Sequence, residues 1–202
     1  MRVPLCVVLT VVLAAGATAA APKFRSVWKT PEVSKLKFAS KKIAALVITD
    51  DQSLQMSGEE ALARELTQRQ VTGVPTYRIL PREEMKSAAT ARPWFERAGV
   101  QGVVALRPVR HEITESPAVI WAPYTNDFWG YYGYGWTGGV SLSRSREEGI
   151  IVETLVFNLA PERLVWAATS ETKNPKSLQA LITDLVDGVV EEMQNMKLVR
   201  KP

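Results

Sequence analysis

The sequence has few of the residues that most often carry catalytic chemistry. Its 202 residues include one cysteine, Cys6, and one histidine, His111. Cys6 lies near the start of an apolar run, whereas a lipidated cysteine follows such a run, so we expect no lipid anchor. If the first residues are removed on export, the mature chain has no thiol, which excludes disulfides, thiolate metal ligands and cysteine nucleophiles.

Known catalytic and phosphate-binding motifs are also absent. The sequence contains no G-x-S-x-G nucleophile elbow and no G-x-x-x-x-G-K-[ST] phosphate loop. A zinc site with a single histidine and no cysteine is uncommon, and we interpret His111 as a residue at the end of a strand. We therefore expect no cofactor, no metal and no catalytic residue, and a protein that is more plausibly a binding module than an enzyme.

The charge balance argues against a nucleic-acid binder. The chain has 25 Lys and Arg against 21 Asp and Glu, and these charges are dispersed along the sequence. A small cluster of Lys197, Arg200 and Lys201 near the C-terminus is typical of a solvated end. The aromatic-rich stretch 117–143 contains no Lys or Arg to contact phosphates.

The first residues predict export from the cytoplasm. Met1-Arg2 is followed by an apolar run over 3–15 and by small residues with the spacing Ala17-x-Ala19, which is the pattern of a cleaved secretory signal peptide. The alternative, a retained anchor, needs about 20 apolar residues to span the hydrocarbon core. We expect a signal peptide over 1–19, an extended lead-in over 20–39 and one domain over 40–202, located in the periplasm or secreted.

Apolar periodicity predicts a single α/β domain. Strands are expected at 43–48, 76–79, 102–110, 150–159 and 164–169, and helices are expected from Ser57, from Pro81 with a break near Pro93, and from Pro175 after an Asn174 cap. The Ser57-x-x-Glu60 capping box marks the first of these helices. The order β-α-β-α-β-β-β-α predicts a mixed β-sheet with helices packed on it.

One long insertion, 116–146, separates the third and fourth predicted strands. It holds eight of the sixteen aromatic residues and five of the twelve glycines. The aromatic residues are Trp121, Tyr124, Phe128, Trp129, Tyr131, Tyr132, Tyr134 and Trp136. We expect a glycine-rich loop or a β-ribbon whose rings contact a protein partner or a second copy of the chain. Three alternatives are packing of the rings into a small core of their own, contact with a membrane surface, and stacking on a glycan.

Acidic residues give a weaker signal. Asp50 and Asp51 follow the first predicted strand, where α/β sheets place their ligands, so a metal-dependent hydrolase is one alternative. The same pair is also typical of turn chemistry before a helix. Glu153 and Glu171 lie in the predicted hairpin, and we interpret them as solvated residues of a half-exposed sheet.

The chain resembles a group of exported bacterial proteins and lipoproteins of unknown function. The resemblance rests on Phe24-x-x-x-Trp28-Lys29, Lys42-Ile43-Ala44-Ala45-Leu46-Val47, Glu59-x-x-Leu62-Ala63-x-x-Leu66, Gly102-Val103-Val104, the stretch Trp129 to Trp136, and Leu164-Val165-Trp166-Ala167-x-x-x-Glu171-Thr172-x-x-Pro175. The order of elements is also similar to that of penicillin-binding-protein activator lipoproteins, the N-terminal domain of TolB and CsgG-type domains. That similarity implies an accessory or assembly role in the cell envelope.

The sequence as a whole predicts a non-catalytic accessory or assembly module of the envelope. Its expected partner is an envelope protein or a second copy, bound through the aromatic insertion. The alternatives are a glycan or small-ligand binder that uses the same segment, and the hydrolase centred on Asp50 and Asp51.

Overall fold

The fold is α/β, as predicted, with a six-stranded mixed sheet and four α-helices packed on it. A computed structural model describes residues 23–109, 122–137, 150–172, 175 and 177–201. The strands are β1 (Phe24–Lys29), β2 (Lys42–Val47), β3 (Thr72–Pro75), β4 (Gly102–Val109), β5 (Ile150–Leu159) and β6 (Glu162–Thr172). The helices are α1 (Gln52–Gln68), α2 (Ala88–Arg97), α3 (Phe128–Thr137) and α4 (Leu178–Asn195).

The sheet has the strand order β1-β6-β5-β4-β2-β3. Strand β2, next to the edge strand β3, is parallel to β3 on one side and to β4 on the other, and the pairs from β4 to β1 are antiparallel. The chain leaves β2 for β3 at one edge and then returns to β4 on the other side of β2. The carboxyl ends of β2 and β4 therefore form a topological switch point.

Both faces of the sheet are covered, which explains the continuous apolar run in β2. Ile43, Ala45 and Val47 belong to one core, which also contains α1 and α4, while Ala44 and Leu46 belong to a second core. The second core contains residues of α2 and α3. Because successive side chains of a strand point to opposite faces, a single apolar strand supplies both cores.

The predicted strands 43–48 and 102–110, the hairpin and the terminal helix are confirmed within one or two residues at most boundaries. The apolar face of α4 contributes Leu181, Leu185 and Val189 to the first core. Its N-cap is Ser177, whose side chain accepts a hydrogen bond from the Ala180 N–H at 3.0 Å. The prediction of Asn174 as the cap was therefore wrong.

Several other boundaries differ from the prediction. Helix α1 begins at Gln52, capped by Asp51, so Ser57 lies inside the helix instead of capping it. The strand predicted at 76–79 lies four residues earlier and is β3. Residues 76–78 form a short 3-10 helix instead. Pro93 lies within α2 without ending it, because Ala91 and Phe95 bury the same face of the helix in the second core.

Part of the predicted lead-in belongs to the sheet. Residues 24–29 form β1, an edge strand that pairs antiparallel with β6. The Phe24 ring lies edge-on to Trp166 with ring centroids 5.2 Å apart. Phe38, at the end of the same segment, is fully buried. The sequence gives no strong periodicity over 24–29, since an edge strand has a largely exposed pattern.

Some predictions lie outside the described residues. These are the signal peptide over 1–19, Cys6, His111, Trp121 and the outer parts of the 116–146 insertion. Among the helices that the structure describes, none is long and apolar enough to cross a bilayer.

Candidate functional site

The centre of the aromatic insertion is a helix, α3, so the prediction of a loop or β-ribbon was wrong. Asp127 stabilises its start, since its carboxylate accepts a hydrogen bond from the Gly130 N–H at 2.7 Å. A Cβ at position 130 would lie only 2.1 Å from that carboxylate, which explains the glycine there. The low helix propensity of the glycines is overcome by burial of one face of the helix.

The inner face of α3 is part of the second core. Phe128, Tyr131 and Tyr132 are fully buried and Trp136 is 9% exposed. Phe128 packs edge-on to Phe157 of β5 at 5.2 Å between ring centroids, and the Tyr132 hydroxyl donates to the Met85 carbonyl. These four predicted binding residues are core residues in this fold, and they share the second core with residues of the sheet instead of forming the separate small core that was one of the sequence alternatives.

Three rings of the same set lie towards the outside. Tyr124, Trp129 and Tyr134 are partly buried. Tyr124 stacks on Tyr134 with centroids 5.7 Å apart, and the Arg92 guanidinium lies 5.8 Å from the Trp129 ring centroid. We call these three side chains, two from α3 and Tyr124 from the short 3-10 helix before it, the outer rings of α3.

A buried ion pair lies beneath α3. Arg107 of β4 and Glu153 of β5 are directly opposite in the antiparallel register. The Arg107 Nε donates to Glu153 Oε2 at 2.9 Å, and Nη2 lies 2.7 Å from the same oxygen without a well-directed hydrogen bond. Both side chains are almost completely buried. The interpretation of Glu153 as a solvated residue was therefore wrong.

Two tyrosines of α3 complete this polar cluster. The Tyr131 hydroxyl lies 3.5 Å from Glu153 Oε2, and the Arg107 guanidinium lies 5.0 Å from the Tyr134 ring centroid. Burial raises the pKa of Glu153, while Arg107 and Tyr131 oppose that shift. Burial also raises the pKa of Tyr131, with a further contribution from Glu153. The cluster therefore holds a neutralised charge pair that fixes α3 against β4 and β5.

Next to this cluster, at the carboxyl ends of β2 and β4, the surface has a crevice of about 220 Å³ that includes open solvent. Its polar lining comes from Thr49, Asp50 and Arg107, and α3 contributes Gly135 and Trp136. This is the switch point of the sheet, where α/β folds bind ligands. The space in it that is closed off from solvent is no larger than a water molecule, so the crevice is a shallow surface feature.

The carboxylates of Asp50 and Asp51 contact different partners. The Asp51 carboxylate accepts from the Leu54 N–H at 3.0 Å as the N-cap of α1, which is the turn chemistry that the sequence suggested as an alternative. The Asp50 carboxylate lies 2.7 Å from Lys86 Nζ at the surface. Within the ranges that the structure describes, no three His, Cys, Asp or Glu side chains are grouped as a metal site.

Arg107 and Glu153 were not predicted from the sequence as members of a site. A signal for them exists, since each is a single charged residue in an otherwise apolar strand. Burying one such charge without a partner costs several kcal/mol, so two of them in neighbouring strands predict a pair.

No family model and no curated protein matches this sequence. Solved structures of PelC from Paraburkholderia phytofirmans are similar in fold, and both are described as dodecamers. A single-substitution variant of PelC is 14% identical with a TM-score of 0.46, covering 88% of this chain and 99% of that chain. PelC in a second crystal form is 14% identical with a TM-score of 0.46, covering 89% of this chain and 99% of that chain.

Proposed function

We propose that this protein is a non-catalytic accessory module of the cell envelope that binds a protein partner, or a second copy of itself, through the outer rings of α3. The observation that carries the proposal is the division of the aromatic set into fully buried rings and rings that flank them with part of their surface accessible. The inner face is used by the core, whereas Tyr124, Trp129 and Tyr134 keep part of their surface accessible.

The composition of this outer face suits protein recognition. Trp, Tyr and Arg are the residue types most enriched among the hot spots of protein interfaces. Trp129 and the neighbouring Arg92 supply two of these types on one flank of α3, and Tyr134, five residues further along the helix, supplies the third on the other flank. The core beneath holds these rings in fixed positions, for example by the edge-on contact of Trp129 with Phe95 at 5.4 Å, which lowers the entropic cost of binding.

The proposed location is the periplasm or the exterior, reached through cleavage of the signal peptide before Ala20. The pattern of Met1-Arg2, the apolar run and Ala17-x-Ala19 supports it. Cell fractionation followed by N-terminal sequencing of the exported chain tests this part of the proposal, and a mature chain that begins elsewhere, or stays with the cytoplasm, would contradict it.

Photo-crosslinking in cells tests the binding surface. A photoreactive residue at position 129 is expected to give one adduct of defined mass, because Trp129 lies on the proposed interface. The matched control is the same probe at Arg64, an exposed residue of α1 on the opposite face of the sheet. Light scattering of the purified adduct distinguishes a dimer of this chain from a complex with another protein. Equal adduct patterns at both positions, or none at position 129, would rule out this surface.

A second candidate, binding of a glycan or small ligand, is favoured by the crevice. Residues of opposite charge, Arg107 and Asp50, both line it, and each already has an ionic partner, Glu153 and Lys86 respectively. A screen of sugars and small polar compounds by thermal shift tests it, since a ligand that binds only the folded state raises Tm. A shift that disappears in the Asp50→Asn variant would place the ligand in the crevice.

A further inference from the structure

Basic residues that are far apart in the sequence meet at the amino-terminal end of the parallel strands. Lys41 immediately precedes β2, and its carbonyl accepts a hydrogen bond from the Thr72 N–H at 2.9 Å at the start of β3. The chain after α4 folds against this region, where Lys37 Nζ donates to the Lys197 carbonyl at 3.1 Å. The Phe38 N–H donates to the Leu198 carbonyl at 2.8 Å, which fixes the two segments side by side.

Six cations form what we call the basic end-face: Lys35, Lys37, Lys41, Lys197, Arg200 and Lys201. Five of them are exposed, and the sixth, Lys41, is partly buried with its Nζ donating to Asn158 Oδ1 at 2.9 Å. Within the described part of the chain, none of the six forms an ion pair with a carboxylate. The charges that appeared dispersed in the sequence are therefore gathered by the fold.

The carboxylates near this surface do not cancel its charge. Glu32 lies 3.2 Å from an Arg163 nitrogen, and Glu65 lies 2.6 Å from an Arg69 nitrogen, so each is neutralised by an arginine outside the set of six. Glu191 and Glu192 lie in the last turns of α4 and offset only part of the remaining positive charge. The end-face keeps a net positive charge on a molecule whose overall formal charge is only +4.

We propose that the basic end-face docks the protein on an anionic lipid surface. Five of the six cations are exposed and the six come from two separate segments, which suits a flat array of headgroups better than a single bound anion. Clusters of about four to eight Lys and Arg are typical of anionic-lipid binding. Single-stranded nucleic acids are bound by cations together with accessible rings, whereas the one ring in these segments, Phe38, is fully buried.

Docking in this way orients the rest of the molecule. The crevice lies at the carboxyl ends of β2 and β4, at the opposite end of the sheet from Lys41. A protein held by its basic end-face would therefore present the crevice, Gly135 and Trp136 away from the lipid surface. Binding through the basic end-face does not depend on the outer rings of α3, so a negative result for one of these two surfaces does not contradict the other.

Vesicle sedimentation with the purified mature chain tests the proposal. The protein is expected to bind vesicles of phosphatidylcholine that contain roughly one third phosphatidylglycerol, and not to bind vesicles of pure phosphatidylcholine. It should dissociate from the anionic vesicles in roughly 0.5 M salt, because salt screens exposed charges. The triple variant Lys35→Gln, Lys197→Gln, Lys201→Gln should lower the partition coefficient about a hundredfold, since each cation near the surface contributes about fivefold.

The matched control removes the same amount of charge at the other end of the sheet. Lys23→Gln, Arg82→Gln, Lys86→Gln changes three exposed cations there and should alter partitioning by less than about threefold. Thermal melts establish that both variants are folded. Equal binding to neutral vesicles or equal losses in the two variants would overturn the proposal. So would tighter binding to a single-stranded oligonucleotide than to the anionic vesicles at the same salt concentration.

Discussion

Glu59 is a carboxylic acid buried in the interior, without a cationic partner among the described residues. Its carboxylate is fully buried between α1 and β2, and it accepts hydrogen bonds from the Val47 N–H at 3.1 Å and the Tyr77 N–H at 2.8 Å. The Gln55 side chain donates a further bond at 3.1 Å. Glu59 thus satisfies backbone donors at the end of β2 and after β3 that would otherwise be buried without a partner.

The pH dependence of stability should report on this residue. Burial raises the pKa of Glu59 from 4.5 to about 7, although the hydrogen bonds from Tyr77, Val47 and Gln55 oppose the shift. A raised pKa means that the folded state binds the proton more tightly, so the contribution of Glu59 to stability is complete below pH 4.5 and is lost as the pH rises through about 7. The shift corresponds to about 3 kcal/mol, at about 1.4 kcal/mol per pKa unit.

Urea unfolding of wild type and Glu59→Gln at pH 5 and pH 8 measures this effect. The wild type should lose stability between the two pH values, and the variant should show a smaller loss because the amide does not titrate. Burial also raises the pKa of Glu153 and of Asp187, so the comparison between the two proteins, and not the wild-type curve alone, isolates Glu59. An equal loss of stability in wild type and in Glu59→Gln between pH 5 and pH 8 would show that Glu59 does not titrate in this range.

At the residue scale, sequence patterns predicted the core better than the polar groups. Apolar runs identified Ile43 and Leu46 as buried, because a continuous run in a strand has no polar face. The Arg107–Glu153 pair and the role of Glu59 depend on strand register and on helix packing. Both depend on contacts between residues that are far apart in the sequence. A charged residue can be predicted to lie in the interior only once its partner is known.

At the scale of elements, there is a physical reason why the sequence predicted a loop or β-ribbon where the structure has the helix α3. Glycine and aromatic residues have low intrinsic helix propensity, so local preference favoured a loop. The helix forms because Phe128, Tyr131 and Tyr132 gain burial against α2 and β5, which tertiary structure alone provides. The hairpin of β5 and β6, by contrast, depends on a short local turn and was predicted.

Two glycines of α3 give a matched prediction. A Cβ at Gly133 would meet only the Ala88 Cβ at 3.8 Å, whereas a Cβ at Gly135 would lie 2.7 Å from Ile48 Cδ1 and 3.4 Å from Arg107 Cδ. Gly133→Ala should raise the free energy of unfolding by about 0.5–1 kcal/mol through helix propensity. Gly135→Ala should lower it by about 1 kcal/mol, because Ile48 must move.

Urea unfolding of both glycine variants distinguishes propensity from packing. Opposite signs for the two changes are expected if α3 packs on the sheet as described. Stabilisation of equal size at both positions would instead mean that position 135 has free space, which contradicts the close approach of α3 to β2.

At the scale of the whole molecule, the strands of the sheet contribute side chains to two cores, and β1 is the strand at one of its edges. Phe24 packs against the first core, and Trp28 against the second. Arg25 forms an ion pair with Glu171 of β6 at 2.7 Å. The strand therefore links both layers to β6, although the sequence predicted this segment as an extended lead-in to the domain.

Removal of β1 should destabilise the fold and expose a long edge. A mature chain that begins at Pro31 keeps the buried Phe38 but leaves β6, a strand of 11 residues, with an unpaired row of backbone groups. We expect a loss of about 3 kcal/mol from the partly buried Phe24 and Trp28, and concentration-dependent association, because unpaired edges bind other strands. The control is Val27→Ala, whose side chain is 54% exposed on β1 and whose change should be within about 0.5 kcal/mol. Thermal melts and light scattering measure both quantities, and a truncated chain that melts like wild type and stays in the same oligomeric state would show that β1 adds nothing to the domain.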